Sequence, residues 1–149
     1  AAVLGTLDRL MAEGMATRGG RFLSATAVGA CEETVIATTE RQRLESVEYW
    51  KQVGTCLEVD YIVVPYVTQW RERDGGEYGV KAPASVTLDF YLVQVATGQV
   101  RRAHFEEEQQ GLAENLLSGK RFAKRKGRWV TPEELAAEGI AEGMRELGL

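Results

Sequence analysis

The stretch that decides the fold is VDYIVVPYVTQWRERDGGEYGVKAPASVTLDFYLVQVATGQVRRAHFEEE, residues 59–108. Residues 59–67 form an almost unbroken apolar run, and the polar loop 70–83 follows it. Residues 84–95 then alternate between apolar and polar side chains, which is typical of a strand with one buried face. A short turn that contains a glycine leads into the charged return run 100–108. This pattern predicts three antiparallel strands joined as a meander.

Helices are predicted on both sides of the meander. Apolar residues at helical spacing predict a first helix over 2–17, and a capping pattern predicts a second over about 40–53. The TPEE sequence at 131–134 is typical of the start of a final helix. Between the first two helices, residues 21–27 are predicted to form a strand that can pair in parallel with the meander. The chain 1–149 is therefore predicted to be one α+β domain, with helices packed on a mixed sheet of about four strands.

The composition excludes two classes of protein. A hydrophobic content of 44% and a charged content of 27% are ordinary values for a globular domain. The net charge of −4 argues against wholesale electrostatic binding to nucleic acid, although it leaves room for a local basic patch. No apolar stretch approaches the roughly 18–20 residues that a membrane-spanning helix needs.

The two cysteines, Cys31 and Cys56, are predicted to be unpaired and mostly buried. The helix predicted over about 40–53 would be roughly 20 Å long. The Cα atoms of a disulfide must lie within about 7 Å of each other. A bond would therefore require residues 31–39 to fold back along that helix. With a single histidine in the chain, no zinc site of usual spacing is expected, and no metal or cofactor is predicted.

No catalytic motif is found in the sequence, and the chain is predicted not to be an enzyme. His104 is followed by Phe105 and Glu106, which matches the H-x-E of zinc deaminases, but the downstream P-C-x-x-C of those enzymes is absent. Residues 118–121 resemble the end of a phosphate-binding loop, yet the first glycine of that motif is missing. For His104, a structural or solvent-exposed role is therefore the simpler interpretation.

The best candidate for binding is a basic stretch near the final helix, in which aromatic residues are interleaved. Such a stretch attracts phosphates, lipid headgroups or anionic polymers. The alternative is a solvated segment balanced by the acidic residues 106–108 and 133–134. The candidate cations for an anion- or partner-binding site are Lys120, Arg121, Lys124, Arg125, Lys126 and Arg128.

The polar loop 70–83 offers a second candidate contact surface, which contains Trp70 and Tyr78. Loops of this length without secondary structure are uncommon unless they have a function. A mobile hairpin tip is the alternative interpretation.

Three short motifs resemble one family of proteins. Residues 59–64 (VDYIVV) are close to its gly-ala-asp-tyr-ile-val step, and residues 93–100 (VQVATGQV) resemble its val-asp-val-x-thr-gly-x-val hairpin. Residues 20–23 (GRFL) resemble its gly-arg-phe-x-val strand. The family is the bacterial cell-envelope lipoproteins related to the curli secretion lipoprotein and the outer-membrane activators of penicillin-binding proteins. The amino-terminal domain of the Tol translocation protein shares their fold.

This resemblance implies a periplasmic protein with a non-enzymatic role in binding or assembly. Its expected partner is an envelope protein or an anionic polymer, and a lipid upstream of Ala1 is expected to anchor it to the outer membrane. The family has a strand before its first helix, which here would lie upstream of Ala1 or be missing. The motifs mark strands and turns, so they assign no functional residue. The alternative hypothesis is an intracellular nucleic-acid-binding module that uses the basic stretch 120–129.

Overall fold

The computed structural model describes residues 2–18, 21–38, 46–109, 124, 125 and 127–149. It confirms the predicted α+β class: helices pack on an antiparallel sheet of three strands, and a small two-stranded hairpin adjoins it. The elements in chain order are α1 (Ala2–Ala16), α2 (Ala25–Thr38), α3 (Ser46–Leu57), β1 (Tyr61–Arg71), β2 (Asp74–Gly76), β3 (Gly79–Ala82), β4 (Ser85–Gln94), β5 (Val100–Glu108) and α4 (Pro132–Glu146).

The predicted meander is confirmed as the main sheet, in the order β1-β4-β5. Tyr61 of β1 pairs with Gln94 of β4, and the register shifts at a bulge between Val67 and Gln69. The turn at Gly98, where φ is +75°, brings β5 back along β4. Within the loop predicted at 70–83, β2 and β3 pair as a separate short hairpin.

One face of the sheet is covered by α1 and α4, and we call it the first face. Leu88 and Phe90 of β4 are fully buried there. The helix α4 begins as predicted, because Thr131 accepts a hydrogen bond from the backbone of Glu134 in a capping box. It lies very close to the sheet: a Cβ added at Gly143 would stand 2.6 Å from the ring of Phe90. Glycine is therefore required at this contact.

The opposite, second face is covered in part by a hairpin of two helices, α2 and α3. Val53 of α3 packs against Ile62 and Val64 of β1, and Val35 of α2 joins this cluster. The hydroxyl of Tyr49 on α3 donates a hydrogen bond of 2.8 Å to Glu32 on α2. Burial, together with this contact, raises the pKa of Tyr49 to about 12. The two helices thus form one unit, which lies on the sheet chiefly through α3.

The prediction that residues 21–27 form a strand is wrong, since α2 begins at Ala25. No parallel pair of strands occurs in the part of the chain that the structure describes. The helix predicted over about 40–53 corresponds to α3. Its predicted start lies outside the described residues, and the helix ends at Leu57. The residues Phe22, Leu23, Thr26 and Val28 after the two glycines favoured a strand at 21–27, but packing against α3 favours a helix from Ala25 onward.

The prediction that the two cysteines are unpaired is also wrong. Cys31 of α2 and Cys56 of α3 form a disulfide, with a Cα–Cα distance of 5.8 Å. The physical reason is the helix hairpin itself. Because residues 31–38 are helical and run antiparallel to α3, they bring Cys31 beside the carboxyl end of α3, where Cys56 lies. This fold-back is the one arrangement in which the sequence permitted a bond.

None of the helices that the structure describes is both long enough and apolar enough to cross a membrane.

Candidate partner-binding surface

The predicted cations fall into three groups in the structure. Lys120, Arg121 and Lys126 lie outside the described residues. Lys124 is exposed to solvent, whereas Arg125 is buried and Arg128 is partly buried. The described cations therefore do not form one uniform basic surface, and each must be considered by its contacts.

Arg125 is held inside the protein by two carboxylates. Its side chain is only 7% exposed, and its guanidinium donates two hydrogen bonds to Glu138 of α4, of 2.9 and 2.5 Å. Glu107 of β5 lies 3.7 Å away. Burial lowers the pKa of Arg125, but the hydrogen bond and charge of Glu138 outweigh burial and leave that pKa raised. Arg125 is therefore not available to an external anion in this structure.

Arg128 joins the basic segment to the start of α4. Its guanidinium donates hydrogen bonds of 3.0 and 2.5 Å to the carboxylate of Glu134, the residue that also completes the capping box. The hydrogen bond from Arg128 lowers the pKa of Glu134, although burial opposes this effect. The same bond raises the pKa of Arg128, and Glu77 and Tyr78 in the β2–β3 hairpin raise it further. Arg128 therefore lies between α4 and that hairpin.

Gln109, which the sequence analysis did not single out, fixes the position of the segment 128–130. Its side chain is 1% exposed in the structure. It donates a hydrogen bond of 2.8 Å to the carbonyl of Arg128 and accepts one of 2.7 Å from the backbone of Val130. A glutamine at the end of a charged strand gives no sequence signal for burial, because its partners come from a distant segment.

The β2–β3 hairpin docks on this same segment. The backbone N–H of Trp129 donates to the carbonyl of Glu77 over 2.7 Å, and Arg73 donates to the carbonyl of Trp129 over 2.6 Å. The structure thus brings the two predicted binding regions together. Tyr78, at the tip of the hairpin, is 91% exposed. We call this region the hairpin surface and define it by Glu77, Tyr78, Arg128 and Trp129.

Trp70, the other residue predicted in the contact loop, is not exposed at the hairpin tip as Tyr78 is. It is partly buried against the core of the first face. Its indole Nε1 donates a long hydrogen bond of 3.4 Å to Glu72. Trp70 therefore anchors the end of β1, and Tyr78 is the aromatic residue that the loop presents to solvent.

A second polar cluster lies on the open part of the second face, around Asp89 of β4. Three hydrogen bonds end on its Oδ1: His104 Nδ1 at 2.8 Å, and Nε and Nη2 of Arg102 at 2.9 and 2.5 Å. Burial raises the pKa of Asp89, but the hydrogen bonds from His104 and Arg102 outweigh burial and lower it. The hydrogen bond to Asp89 raises the pKa of His104 above its ordinary value.

The sequence contained a signal for this cluster. The β4–β5 turn pairs Val93 with Val100, and counting outward from that pair places Asp89 opposite His104. The ring nitrogen Nε2 of His104 lies 3.5 Å from Glu106. In spite of these contacts, no group of residues capable of holding a metal ion is present among the residues with a described position.

A cleft of about 460 Å³ lies away from both polar regions, between the end of α4 and the β4–β5 turn. Arg101, which lines it, donates hydrogen bonds to the carbonyls of Leu147 and Glu146. Its guanidinium therefore caps the carboxyl end of α4. His104 is not among the residues that line the cleft.

Comparisons with protein-family models, with curated proteins and with solved structures find no match to this chain.

Proposed function

We propose that this chain is a non-catalytic binding module of the bacterial cell envelope. It works in the periplasm, with a lipid upstream of Ala1 as its anchor to the outer membrane. Its hairpin surface binds an acidic envelope partner, either a protein or an anionic polymer. The resemblance of the strand and turn motifs to envelope lipoproteins supports the location and the non-enzymatic role.

The observation that carries the proposal is the presentation of Tyr78. A side chain that is 91% exposed adds almost nothing to folding, and yet the hairpin that holds it is hydrogen-bonded to Trp129. Tyrosine is one of the residues that most often dominate the binding energy of protein interfaces. Because the hairpin is already fixed, little conformational entropy is lost when a partner covers the ring.

The cations of the segment that precedes Trp129 in the sequence favour an acidic partner. Lys124 is exposed beside Arg125, and Lys120, Arg121 and Lys126 add three more cations nearby in the sequence. Arg128 remains 30% exposed while it is paired with Glu134. Cations around an aromatic anchor steer acidic partners to the surface and orient them there.

The disulfide supports an oxidising compartment. Disulfides persist in secreted and periplasmic proteins and are rare in the reducing cytosol. Cys31 and Cys56 lie on facing helices at a distance that suits the bond. The same feature weakens the alternative of an intracellular nucleic-acid-binding module. That alternative also loses Arg125, because its side chain is buried and engaged by carboxylates of the chain itself.

Titration against anionic polymers tests the proposal. The wild-type protein should bind immobilised polyglutamate, and its affinity should fall steeply as salt is added. Tyr78→Ala should weaken binding by about thirtyfold, the effect of a residue worth about 2 kcal/mol. Lys124→Glu should weaken it by at least about tenfold.

The matched control for Lys124→Glu is Lys51→Glu, because Lys51 lies on α3 beside the turn at Gly98 and far along the sheet from the hairpin. This variant should bind as the wild type does. Equal binding by wild type and Tyr78→Ala would contradict the proposal. Tighter binding to single-stranded DNA than to polyglutamate at the same salt concentration would favour the nucleic-acid alternative instead.

A further inference from the structure

The second face of the sheet contains a group of polar side chains that the α2–α3 hairpin leaves uncovered. The register places them in rows across the three strands. Because side chains alternate between faces along a strand, all of these residues lie on the same side of the sheet. We call this group the polar face; its rows are Tyr91 and Arg102, then Tyr66, Asp89 and His104, then Gln69, Thr87 and Glu106.

The polar face has an aromatic platform. Tyr66 is 47% exposed, and its ring meets that of Tyr91 edge to face, with the ring centroids 5.6 Å apart. This contact fixes the orientation of Tyr66 without covering its ring. One apolar surface of fixed orientation is therefore available beside the polar groups.

Asp89 contributes a buried carboxylate, one oxygen of which can accept further hydrogen bonds. The residue is only 8% exposed, and its three hydrogen bonds all end on Oδ1. No donor from the described segments of the chain reaches Oδ2. A carboxylate has two oxygens that each accept hydrogen bonds, so Oδ2 is suited to a hydroxyl donor supplied from outside.

The remaining groups add both donors and acceptors. His104 is 43% exposed, and its Nε2 is held only loosely by Glu106 at 3.5 Å. The amide of Gln69 can donate and accept at once, and among the described residues it accepts a long hydrogen bond of 3.4 Å from the hydroxyl of Thr87. The face therefore matches a ligand whose groups both donate and accept hydrogen bonds.

The charges on this face balance each other, in contrast to those on the hairpin surface. Arg102 is paired with Asp89, and His104 lies against both Asp89 and Glu106, so the basic and acidic groups of this face are in contact with each other. A face of this kind offers no net attraction to an anionic polymer. Apart from Tyr66, it also lacks the exposed apolar core that a protein partner needs.

From this juxtaposition we propose that the polar face is a binding site for a neutral oligosaccharide. One sugar ring packs its C–H surface on Tyr66, and hydroxyl groups bond to Asp89 Oδ2, His104 and Gln69. From Tyr66 to His104 the site crosses two strand spacings, roughly 10 Å, which suits a short chain of sugars rather than a single ring. The site is separate from the hairpin surface and does not depend on the function proposed for it.

Nuclear magnetic resonance with ¹⁵N-labelled full chain tests this proposal. The probes are maltotetraose, cellotetraose and chitotetraose, each at up to about 10 mM, which detects even weak affinity. At least one should produce saturable shifts at Tyr66, Asp89 and His104, with none at Tyr78. Absence of shifts with all three probes, or shifts confined to other regions, would overturn the proposal.

Variants separate this site from the hairpin surface. Tyr66→Ala should weaken sugar binding at least tenfold, and Asp89→Asn should weaken it as well. Tyr78→Ala should leave sugar binding unchanged while it weakens polyglutamate binding. Tyr66 is half exposed, so Tyr66→Ala should fold even if Asp89→Asn does not. Unaltered sugar binding by folded Tyr66→Ala would show that the platform is not used.

Discussion

The two faces of the sheet are stabilised in different ways. On the first face, α4 packs so closely on Phe90 that only a glycine fits at position 143, and most of the apolar core lies there. On the second face, the helix hairpin covers only part of the sheet, and a covalent bond joins its two helices. The remaining part of that face carries Asp89 and His104 in a polar group. The first face therefore supplies most of the apolar packing, whereas the polar group on the second face is the part for which we propose a ligand.

Truncation of one aromatic residue on each face should give the largest difference in stability. Phe90→Ala removes a fully buried ring from the first face and should lower the free energy of unfolding by about 4 kcal/mol. Tyr66→Ala, on the open part of the second face, should lower it by less than about 1 kcal/mol, since its ring is half exposed. Urea unfolding of both variants measures the two values. Similar losses would mean that the second face is also a packed core.

Removal of the disulfide should give the next largest effect. The bond closes a loop with a sequence separation of 25, for which chain entropy predicts a contribution of about 3.5 kcal/mol. The double variant Cys31→Ser, Cys56→Ser should therefore be less stable by about that amount in urea unfolding. Reduction of the wild type should reproduce the loss. A loss below about 1 kcal/mol would show that the hairpin does not depend on its covalent link.

Substitutions at two neighbouring residues test how much the buried charges of the first face contribute to stability. Arg125→Ala removes a buried guanidinium from its contacts with Glu138 and Glu107 and should cost about 3 kcal/mol. Lys124→Ala, one residue earlier and exposed, should change stability by no more than about 0.5 kcal/mol. Thermal or urea unfolding of the pair measures the contrast. Equal small effects would mean that Arg125 is not buried between the two carboxylates in solution.

The smallest effect should be the pH dependence of folding stability that arises from His104 on the second face. Because Asp89 raises the folded-state pKa of His104 above 6.5, protonation stabilises the fold. That contribution is complete below the unfolded pKa and is lost as the pH rises through the folded pKa. It should be small, since the imidazole is 43% exposed. His104 is the only histidine, so its ring protons can be followed without ambiguity.

In a nuclear magnetic resonance titration, the midpoint for His104 should lie above 6.5 and should fall towards that value in Asp89→Asn. His104→Gln should lose the corresponding slope of stability against pH. A wild-type midpoint at or below 6.5 would contradict the contact with Asp89.

The sequence predicted the first face better than the second for a physical reason. The alternation in β4 and the cap at Thr131 are local signals, and they identified the strand and the start of α4 correctly. The segment of α2 contains Thr34, Val35 and Ile36, whose side chains favour strands. Its helical state depends on packing against α3, which a local pattern does not contain.

The sequence also predicted only part of the candidate site. Tyr78 was identified because a long polar loop with an aromatic residue is uncommon without a function. The different environments of Lys124 and Arg125 could not be predicted. They depend on Glu138, a residue of α4 that reaches Arg125 only after the chain has folded. Sequence composition shows a run of cations, but it does not show which of them meet carboxylates.

The central claim is the proposal that the chain, with a disulfide between α2 and α3, resides in an oxidising compartment and uses surfaces outside its core for binding. The most direct test is to count free thiols in protein isolated from its native host, with thiols blocked during lysis and the sample denatured without reductant. The account predicts no free thiol, because Cys31 and Cys56 are bonded to each other. Two free thiols per chain would contradict it, and would remove the support for a periplasmic location.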